Sequence, residues 1–145
     1  DQEQLRVFAN SQFVKVTPIE GTPAEAYRVD SQINSLWRSR NGNPLSRSQH
    51  SVEIRLTSDY PRLAPACKML TPIFHPNISP EGTTICIGDH WTAGERLADL
   101  IIRIGEMIAY QAYNIRSPLD GEAAMWADLN QDKLPTDARD LRPAE

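Results

Sequence analysis

His75-Pro76-Asn77-Ile78 and Gly82-Thr83-Thr84-Ile85-Cys86 form the stretch of sequence that decides how the chain is interpreted. Tyr60-Pro61 precedes this stretch, and a second turn follows it at Gly88-Asp89. Proline and glycine at this density indicate irregular backbone rather than a strand or a helix. We therefore expect Cys86 to lie in a loop at the surface.

The size and charge of the chain limit the classes of protein to consider. Its 145 residues suit a single domain with one core. A formal net charge of -4 leaves no surplus of Lys and Arg for phosphates, so we expect no binding to nucleic acid or membranes. No signal peptide opens the sequence, and no apolar run reaches the roughly eighteen residues that span a bilayer. We expect a cytoplasmic protein.

The two cysteines are too few for a disulfide scaffold and stand in different surroundings. Cys67 lies in an apolar, strand-like run, which favours core packing, whereas Cys86 lies beside glycine-containing turns. This pattern is typical of a reducing compartment with two free thiols. Of the two, we expect only Cys86 to be reactive.

Four segments show the two-residue period of half-buried strands. The first should end at Pro18 and Gly21-Thr22-Pro23, and Arg40-Asn41-Gly42-Asn43-Pro44 is a strong turn signal before the third. Short connections of this kind predict an antiparallel meander with one buried face. In chain order, the residues expected on that face are Val14 and Val16; Tyr27, Val29, Ile33 and Trp37; Val52, Ile54 and Leu56; and Cys67 and Met69.

Helices are predicted before and after the strands. Residues 1–11 resemble the end of a helix whose inner side carries Leu5, Phe8 and Ala9. Thr92-Ala93-Gly94-Glu95 fits a capping box, and Gly105 in the helix behind it indicates a close approach to the sheet. A last helix is expected over about 120–129, and the tail from Gln131 is expected to pack little. The apolar stripe of the central helix comprises Leu97, Leu100, Ile101, Ile104 and Ile108.

The chain resembles the ubiquitin-conjugating enzymes through an ordered set of residues: Tyr60-Pro61, Pro65, His75-Pro76-Asn77, Gly82, Cys86 and Trp91. The resemblance is specific over residues 60–91 and 114–126, and the predicted order of elements is also that of the family. It implies an α+β, ubiquitin-conjugating-like fold, with a four-stranded antiparallel meander packed against a central helix. It further implies a single catalytic domain over residues 1–130 and a C-terminal tail over 131–145.

The resemblance also implies a chemistry of two acyl transfers. Cys86 would take the C-terminal carboxyl of a ubiquitin-like protein from an activating enzyme as a thioester, which a lysine amine then attacks. Asn77 would stabilise the oxyanion, although a loop-ordering role for this residue is an alternative. His75 and Pro76 would hold the Asn77 loop, so His75 is interpreted as structural rather than as a general base. No metal or organic cofactor is implied, and ATP would be used by the activating enzyme.

The segment that would face the incoming amine departs from the family pattern. Where the family often carries an acidic residue before Pro-Leu, this chain has Ser117, which can accept a hydrogen bond but adds no charge. Arg116 would repel an incoming ammonium. Asp89, His90 or Asp120 could supply the missing polarity from nearby positions in the sequence.

The loops that contact RING-type ligases in the family also differ here. Arg62 follows Tyr-Pro where an apolar residue is common, and Thr92-Ala93 follows Trp91 where the family often has Ser-Pro-Ala. By resemblance these four residues are the partner-binding positions, and their divergence suggests a different ligase or none. It also suggests a bacterial or archaeal relative, for which an operon of conjugation genes, in some cases antiviral, is a plausible setting.

Other interpretations are open for the same residues. Cys86 and His90 have a ligand-like spacing, but a zinc site needs about four ligands, and no such set is completed. A Cys-His protease lacks any supporting signature. The main alternative is a non-catalytic or degenerate adaptor that binds ubiquitin-like proteins, although adaptors of this fold lack the cysteine that is present here.

Overall fold

The fold is described from a computed structural model, which describes residues 4–21, 25–39, 42–87, 91–92 and 94–143. Four strands are followed by two α-helices, as the sequence predicts. The strands are β1 Val14–Glu20, β2 Ala26–Arg38, β3 Pro44–Arg55 and β4 Ala66–Met69. The helices are α1 Leu97–Ile108 and α2 Gly121–Leu129, with short 3₁₀ helices at Gln4–Phe8 and Gln131–Lys133.

The strands form one antiparallel meander in the order β1-β2-β3-β4, which confirms the predicted topology. Val16, Val29, Val52 and Met69 lie opposite one another across the four strands. Cross-strand apolar pairs of this kind each contribute roughly 0.2–1 kcal/mol beyond Ala pairs. In β2 the buried positions alternate with exposed ones from Tyr27 to Ser35, so the predicted inner face is correct.

Helix α1 covers the inner face of the sheet, and its predicted apolar stripe is confirmed. Leu97, Leu100, Ile101, Ile104 and Ile108 are all buried. A Cβ at Gly105 would lie 3.3 Å from Ile33 Cδ1 of β2 and 3.6 Å from Leu141 Cδ1. The close approach that this glycine suggested is therefore present, and it lets the helix lie directly on the second strand.

The predicted capping box at the start of α1 is wrong. The helix begins at Leu97, and its N-cap residue Arg96 makes no side-chain capping bond. Gln4 Oε1 instead accepts the Leu97 N–H at 3.0 Å, so the N-terminal segment serves a donor that the helix leaves free. Glu95 pairs with Arg103 Nη1 at 3.0 Å, which removes its carboxylate from the capping role.

Three predictions for the N-terminal half need correction. The first helix is a 3₁₀ turn, in which Leu5 and Phe8 are buried and Ala9 is exposed. Pro18 does not end β1, because an edge strand tolerates a residue without an N–H, and the irregularity falls between Pro18 and Glu20. Strand β3 begins at Pro44, inside the predicted turn signal. Residues 22–24 and 40–41 lie outside the described residues.

The expectation that the tail after Gln131 packs little is also wrong. Leu141 is buried in the core, and Asp137 Oδ2 accepts the Asn34 N–H at 3.0 Å. The β2–β3 register shifts between Gln32 and Ser35, which leaves Asn34 without a partner in that ladder. The tail fills this gap, since Thr136 Oγ1 also donates to the Asn34 carbonyl at 2.7 Å. The division of the chain at residue 130 stays a prediction.

Asp137 should make the stability of the fold sensitive to acid. Its carboxylate accepts hydrogen bonds from the Arg139 side chain and the Asn34 backbone, which lowers its pKa to about 2. The unfolded state, with a pKa of ~3.9, therefore binds more protons between about pH 4 and pH 2. Stability from this group is present above pH 4 and is lost as the pH falls through that window.

We expect Asp137→Asn to lower the free energy of unfolding by about 2 kcal/mol at pH 7, and to flatten its pH dependence below pH 4. Urea unfolding over a pH series measures both effects. Asp140→Asn is the matched control, because Asp140 bonds Arg142 in the same i to i+2 pattern on the surface. Equal behaviour of the two variants would contradict a specific role for the buried carboxylate.

Candidate active site

The site is built on His75, which is fully buried beneath the Asn77 loop. Its Nδ1 accepts the Asn77 N–H at 3.0 Å, so the ring proton is carried by Nε2. Burial lowers the pKa of the imidazole to about 3. A neutral ring whose Nδ1 is occupied supports the backbone of the loop and does not change its protonation state near neutral pH.

Tyr110 packs against this histidine from the end of α1. The two rings are 4.6 Å apart, and the Tyr110 hydroxyl donates to the Phe74 carbonyl at 2.5 Å, directly before His75. Burial raises the pKa of this hydroxyl well above its ordinary value. Tyr110 also has a positive φ of 59°, a conformation that a bulky residue adopts only when its surroundings fix it. The contact between the Tyr110 and His75 rings therefore supports the Asn77 loop from the side of α1.

Asn77 joins three segments of the site. Its carbonyl accepts the Cys86 N–H at 2.9 Å. Its side chain makes two bonds to the backbone of Asn114: Nδ2 donates to the Asn114 carbonyl, and Oδ1 accepts the Asn114 N–H, each at 2.8 Å. Since the Asn77 N–H is bonded to His75, the groups of this one residue connect the histidine, the cysteine and the segment after α1.

Residues 114–120 form an arch over this side of the site. The arch is fixed at one end by Asn77, and at the other by the Pro76 carbonyl, which accepts the N–H groups of Leu119 at 2.8 Å and Asp120 at 3.2 Å. Between the ends, Asn114 Oδ1 accepts the Arg116 N–H at 2.7 Å. Ser117 lies on the arch with its side chain in solvent.

Cys86 is exposed, and the turn before it depends on a glycine. Gly82 has a φ of 81°, and a Cβ there would lie 3.2 Å from the Met69 Cβ, so a side chain would be strained by the backbone conformation and would crowd Met69. Ile85, the residue between this turn and the cysteine, pairs with Ile78 in an isolated bridge. The thiol thus follows an anchored residue and faces water.

The second cysteine has the opposite character. Cys67 is buried in β4, and burial raises the pKa of its thiol to about 12. A thiol that stays protonated at neutral pH is a poor nucleophile. The prediction that Cys67 belongs to the core is confirmed.

The two predicted partner-binding loops lie side by side. Trp91 Nε1 donates to the Pro61 carbonyl at 2.8 Å, and the Trp91 and Tyr60 rings are 6.0 Å apart. Next to this contact, Arg62 is largely exposed and pairs with Asp59 at 3.0 Å, and Thr92 is also exposed. The structure therefore brings Arg62, Trp91 and Thr92 to one surface.

Three of the predicted site residues, Asp89, His90 and Ala93, lie outside the described residues. Asp120 is described, and its Oδ1 accepts the N–H groups of Glu122 and Ala123 at 3.1 Å, so the carboxylate caps α2, while its predicted contribution to the amine path stays a prediction. Within the described ranges, no group of three or more His, Cys, Asp or Glu is placed to hold a metal ion.

Sequence reasoning missed the roles of Asn114 and Tyr110. The Asn114 bond to Arg116 is an Asx turn, for which an asparagine in a loop is a known local signal. Its bonds to Asn77 span 37 positions of the chain, and no local pattern indicates them. Tyr110 gave no signal at all, because a tyrosine at the end of a helix is unremarkable in sequence.

The chain belongs to the ubiquitin-conjugating enzyme family. Its residues 15–141 match the family model described as "Ubiquitin-conjugating enzyme". The predicted family is thereby confirmed, whereas the predicted bacterial or archaeal origin stays a prediction. Over the described residues, no helix has the length and apolar character that crossing a membrane requires.

Individual proteins show the same likeness. "Ubiquitin conjugating enzyme E2 B" of Dictyostelium discoideum is 27% identical over 119 residues, or 76% of this chain and 78% of that protein. "Ubiquitin-conjugating enzyme E2 21" of Caenorhabditis elegans is 29% identical over 79 residues, or 52% of this chain and 37% of that protein. A solved structure titled "Novel Ubiquitin-Conjugating Enzyme" has a TM-score of 0.66 at 18% identity, covering 90% of this chain and 82% of its own. The last comparison confirms the predicted fold.

We expect the His75 imidazole to remain neutral throughout the pH range from 5 to 8, because protonation would place a charge in a buried site. Heteronuclear NMR of the ring nitrogens measures this, with the proton on Nε2. The wild-type spectrum is assigned by comparison with His75→Gln. A His75 ring that titrates near pH 6.5 would contradict the structural role and revive its interpretation as a base.

Proposed function

We propose that this protein carries a ubiquitin-like modifier as a thioester on Cys86 and transfers it to the amine of a target lysine. The observation that carries the proposal is the exposed Cys86 whose backbone N–H is held by Asn77 at 2.9 Å. The backbone of an exposed cysteine is thereby tied to the residue whose side-chain amide bonds to Asn114. Membership of the ubiquitin-conjugating family supports the same conclusion.

In the first step the Cys86 thiolate attacks the thioester carbonyl that an activating enzyme presents. A new carbon–sulfur bond forms on Cys86, and the thiolate of the activating enzyme leaves. Transfer of an acyl group from one thiol to another needs little help from a base, since a thiolate is both a strong nucleophile and a good leaving group. The exposure of Cys86 supports this step, because the thioester that it attacks is carried by large partners.

In the second step an amine adds to the thioester carbonyl, and negative charge develops on the oxygen. The carbon–sulfur bond then breaks, Cys86 leaves as a thiolate, and the proton of the amine passes to water. Asn77 Nδ2 carries two hydrogens, of which one is donated to the Asn114 carbonyl. The other is available for the oxyanion, and loss of such a donor typically costs about 3–4 kcal/mol. The proposed oxyanion role is therefore compatible with loop ordering, since the bonds to Asn114 orient the amide.

The attacking amine must lose a proton, because a lysine has an unperturbed pKa of ~10.4. We assign Ser117 to the approach path of the amine, since it is exposed on the arch that Asn77 and Pro76 fix. Its hydroxyl oxygen accepts a hydrogen bond from the amine without adding charge. Arg62, Trp91 and Thr92 are proposed as the surface for a partner, with a ligase as one candidate.

The proposed partners are an activating enzyme, a ubiquitin-like protein and a target protein. We propose no metal or organic cofactor for this chain and assign ATP to the activating enzyme. Genes beside the one for this protein supply the candidates for both partners.

We expect Cys86→Ala to abolish the adduct with the modifier, because the bond to be formed is on this sulfur. The wild-type protein is incubated with a candidate activating enzyme, ATP and modifier, and mass spectrometry detects a thiol-sensitive adduct. Cys67→Ala is the matched control and should charge normally, since its thiol is buried. If wild type forms no adduct with any candidate pair, the adaptor interpretation replaces the enzyme, with Cys86 as a relic.

We expect Asn77→Ala to charge on Cys86 but to discharge to lysine about 10²–10³ times more slowly than wild type. Single-turnover loss of the thioester after quenching the activating enzyme gives the rate. Asn77→Asp keeps the acceptor for the Asn114 N–H but removes both the oxyanion donor and the bond to the Asn114 carbonyl, so it tests whether the Nδ2 donor is needed for discharge. If Asn77→Asp discharges as fast as wild type, the oxyanion role is wrong and loop ordering alone explains the residue.

A further inference from the structure

Arg116 places a positive charge on the arch, and it forms no ion pair with any residue that the structure describes. Its side chain is exposed, and within the described ranges no carboxylate lies within 4.0 Å of it. Two other arginines are paired. Arg38, at the end of β2, pairs with Glu122, and Arg62, in the loop before β4, pairs with Asp59. The charge of Arg116 is therefore free to act on a molecule that approaches the site.

The backbone that carries this charge is fixed rather than loose. Asn114 Oδ1 accepts the Arg116 N–H at 2.7 Å, and the Asn114 peptide is bonded on both sides to Asn77. The other end of the arch is held by the Pro76 carbonyl. Arg116 thus projects from the arch, and the position of the arch is set by the Asn77 loop, which also bonds the backbone of Cys86.

The connection also limits the distance between Arg116 and the thiol. Asn77 bonds to Cys86 N–H through its carbonyl and to Asn114 through its side chain, and Arg116 is two residues further on. Summing ordinary bond lengths along this path gives an upper limit of roughly 20 Å between the Arg116 and Cys86 backbones. The flexible stem of the guanidinium shortens that separation from one side, and the residues that flank an acceptor lysine shorten it from the other.

We propose that Arg116 selects acceptors in which the reactive lysine is flanked by carboxylates, such as an acidic segment of a target protein. This specificity rests on the proposed function. A lysine enters as a cation, and Arg116 repels it unless a neighbouring acidic side chain on the acceptor neutralises the guanidinium. The contact is at the surface, where charges at these distances interact weakly and are screened by salt.

The test is discharge of preformed Cys86 thioester to three short peptides, in which a single lysine is flanked by Asp, Ser or Arg. At low salt we expect wild type to react roughly three to ten times faster with the Asp-flanked peptide than with the Ser-flanked one. The Arg-flanked peptide should be slowest. The preference should shrink at about 0.5 M salt, where the Debye length falls to roughly 4 Å.

Substitutions of Arg116 test whether this residue causes the preference for the Asp-flanked peptide. Arg116→Gln should remove the difference between the peptides, and Arg116→Glu should reverse it. Lys133→Gln removes one positive charge at the far end of α2, where Lys133 is exposed, and should keep the wild-type preference. Discharge to hydroxylamine, which is uncharged at neutral pH, should proceed at one rate in wild type and in Arg116→Gln.

The outcomes separate this proposal from the one on which it rests. Failure of wild-type Cys86 to form a thioester overturns the proposed function and the specificity together. Normal charging with equal rates for the three peptides, or an unchanged preference in Arg116→Gln, overturns the specificity alone. A slower reaction of Arg116→Gln with hydroxylamine also counts against it, because the residue would then shape the site itself.

Discussion

The structure of the site depends on the hydrogen bonds of one buried residue, Asn77. Its backbone N–H, its backbone carbonyl and both polar atoms of its side-chain amide are bonded to His75, Cys86 and Asn114. A buried amide with all these partners satisfied fixes its surroundings, whereas the same group with one partner missing would cost about 1–3 kcal/mol. The thiol and the arch therefore keep their relative positions without a direct contact between them.

Much of the fold could be predicted from the sequence, because burial leaves a period in the chain. Alternation in β2 and the helical spacing of α1 are local patterns that the core imposes, and both are correct in the structure. The failures have a common cause, since they concern bonds between distant segments. Gln4 caps α1 across 93 positions of the chain, and Asp137 bonds Asn34 across 103 positions. The predictions of a capping box and of a tail that packs little were therefore wrong.

The site was predictable to a smaller extent. Cys86, Asn77 and His75 stood out through the resemblance, and the structure places them together. The resemblance gave no reason why the arch holds its shape. The arch is held by the backbone N–H of Asn114 and by the Pro76 carbonyl, and backbone groups of this kind are present in every sequence. Asp120 was a reasonable candidate for the amine path in sequence, yet its position before α2 commits its carboxylate to a cap.

The central claim is that the Asn77 side chain, and not the backbone alone, ties the arch to the cysteine loop. Amide hydrogen exchange in wild type and in Asn77→Ala tests it most directly. The account predicts that the Asn114 N–H is protected in wild type and loses its protection in the variant. The Cys86 N–H, which is bonded to the Asn77 backbone carbonyl, should stay protected in both. An Asn114 N–H that exchanges freely in wild type, or equally slowly in both proteins, would contradict the account.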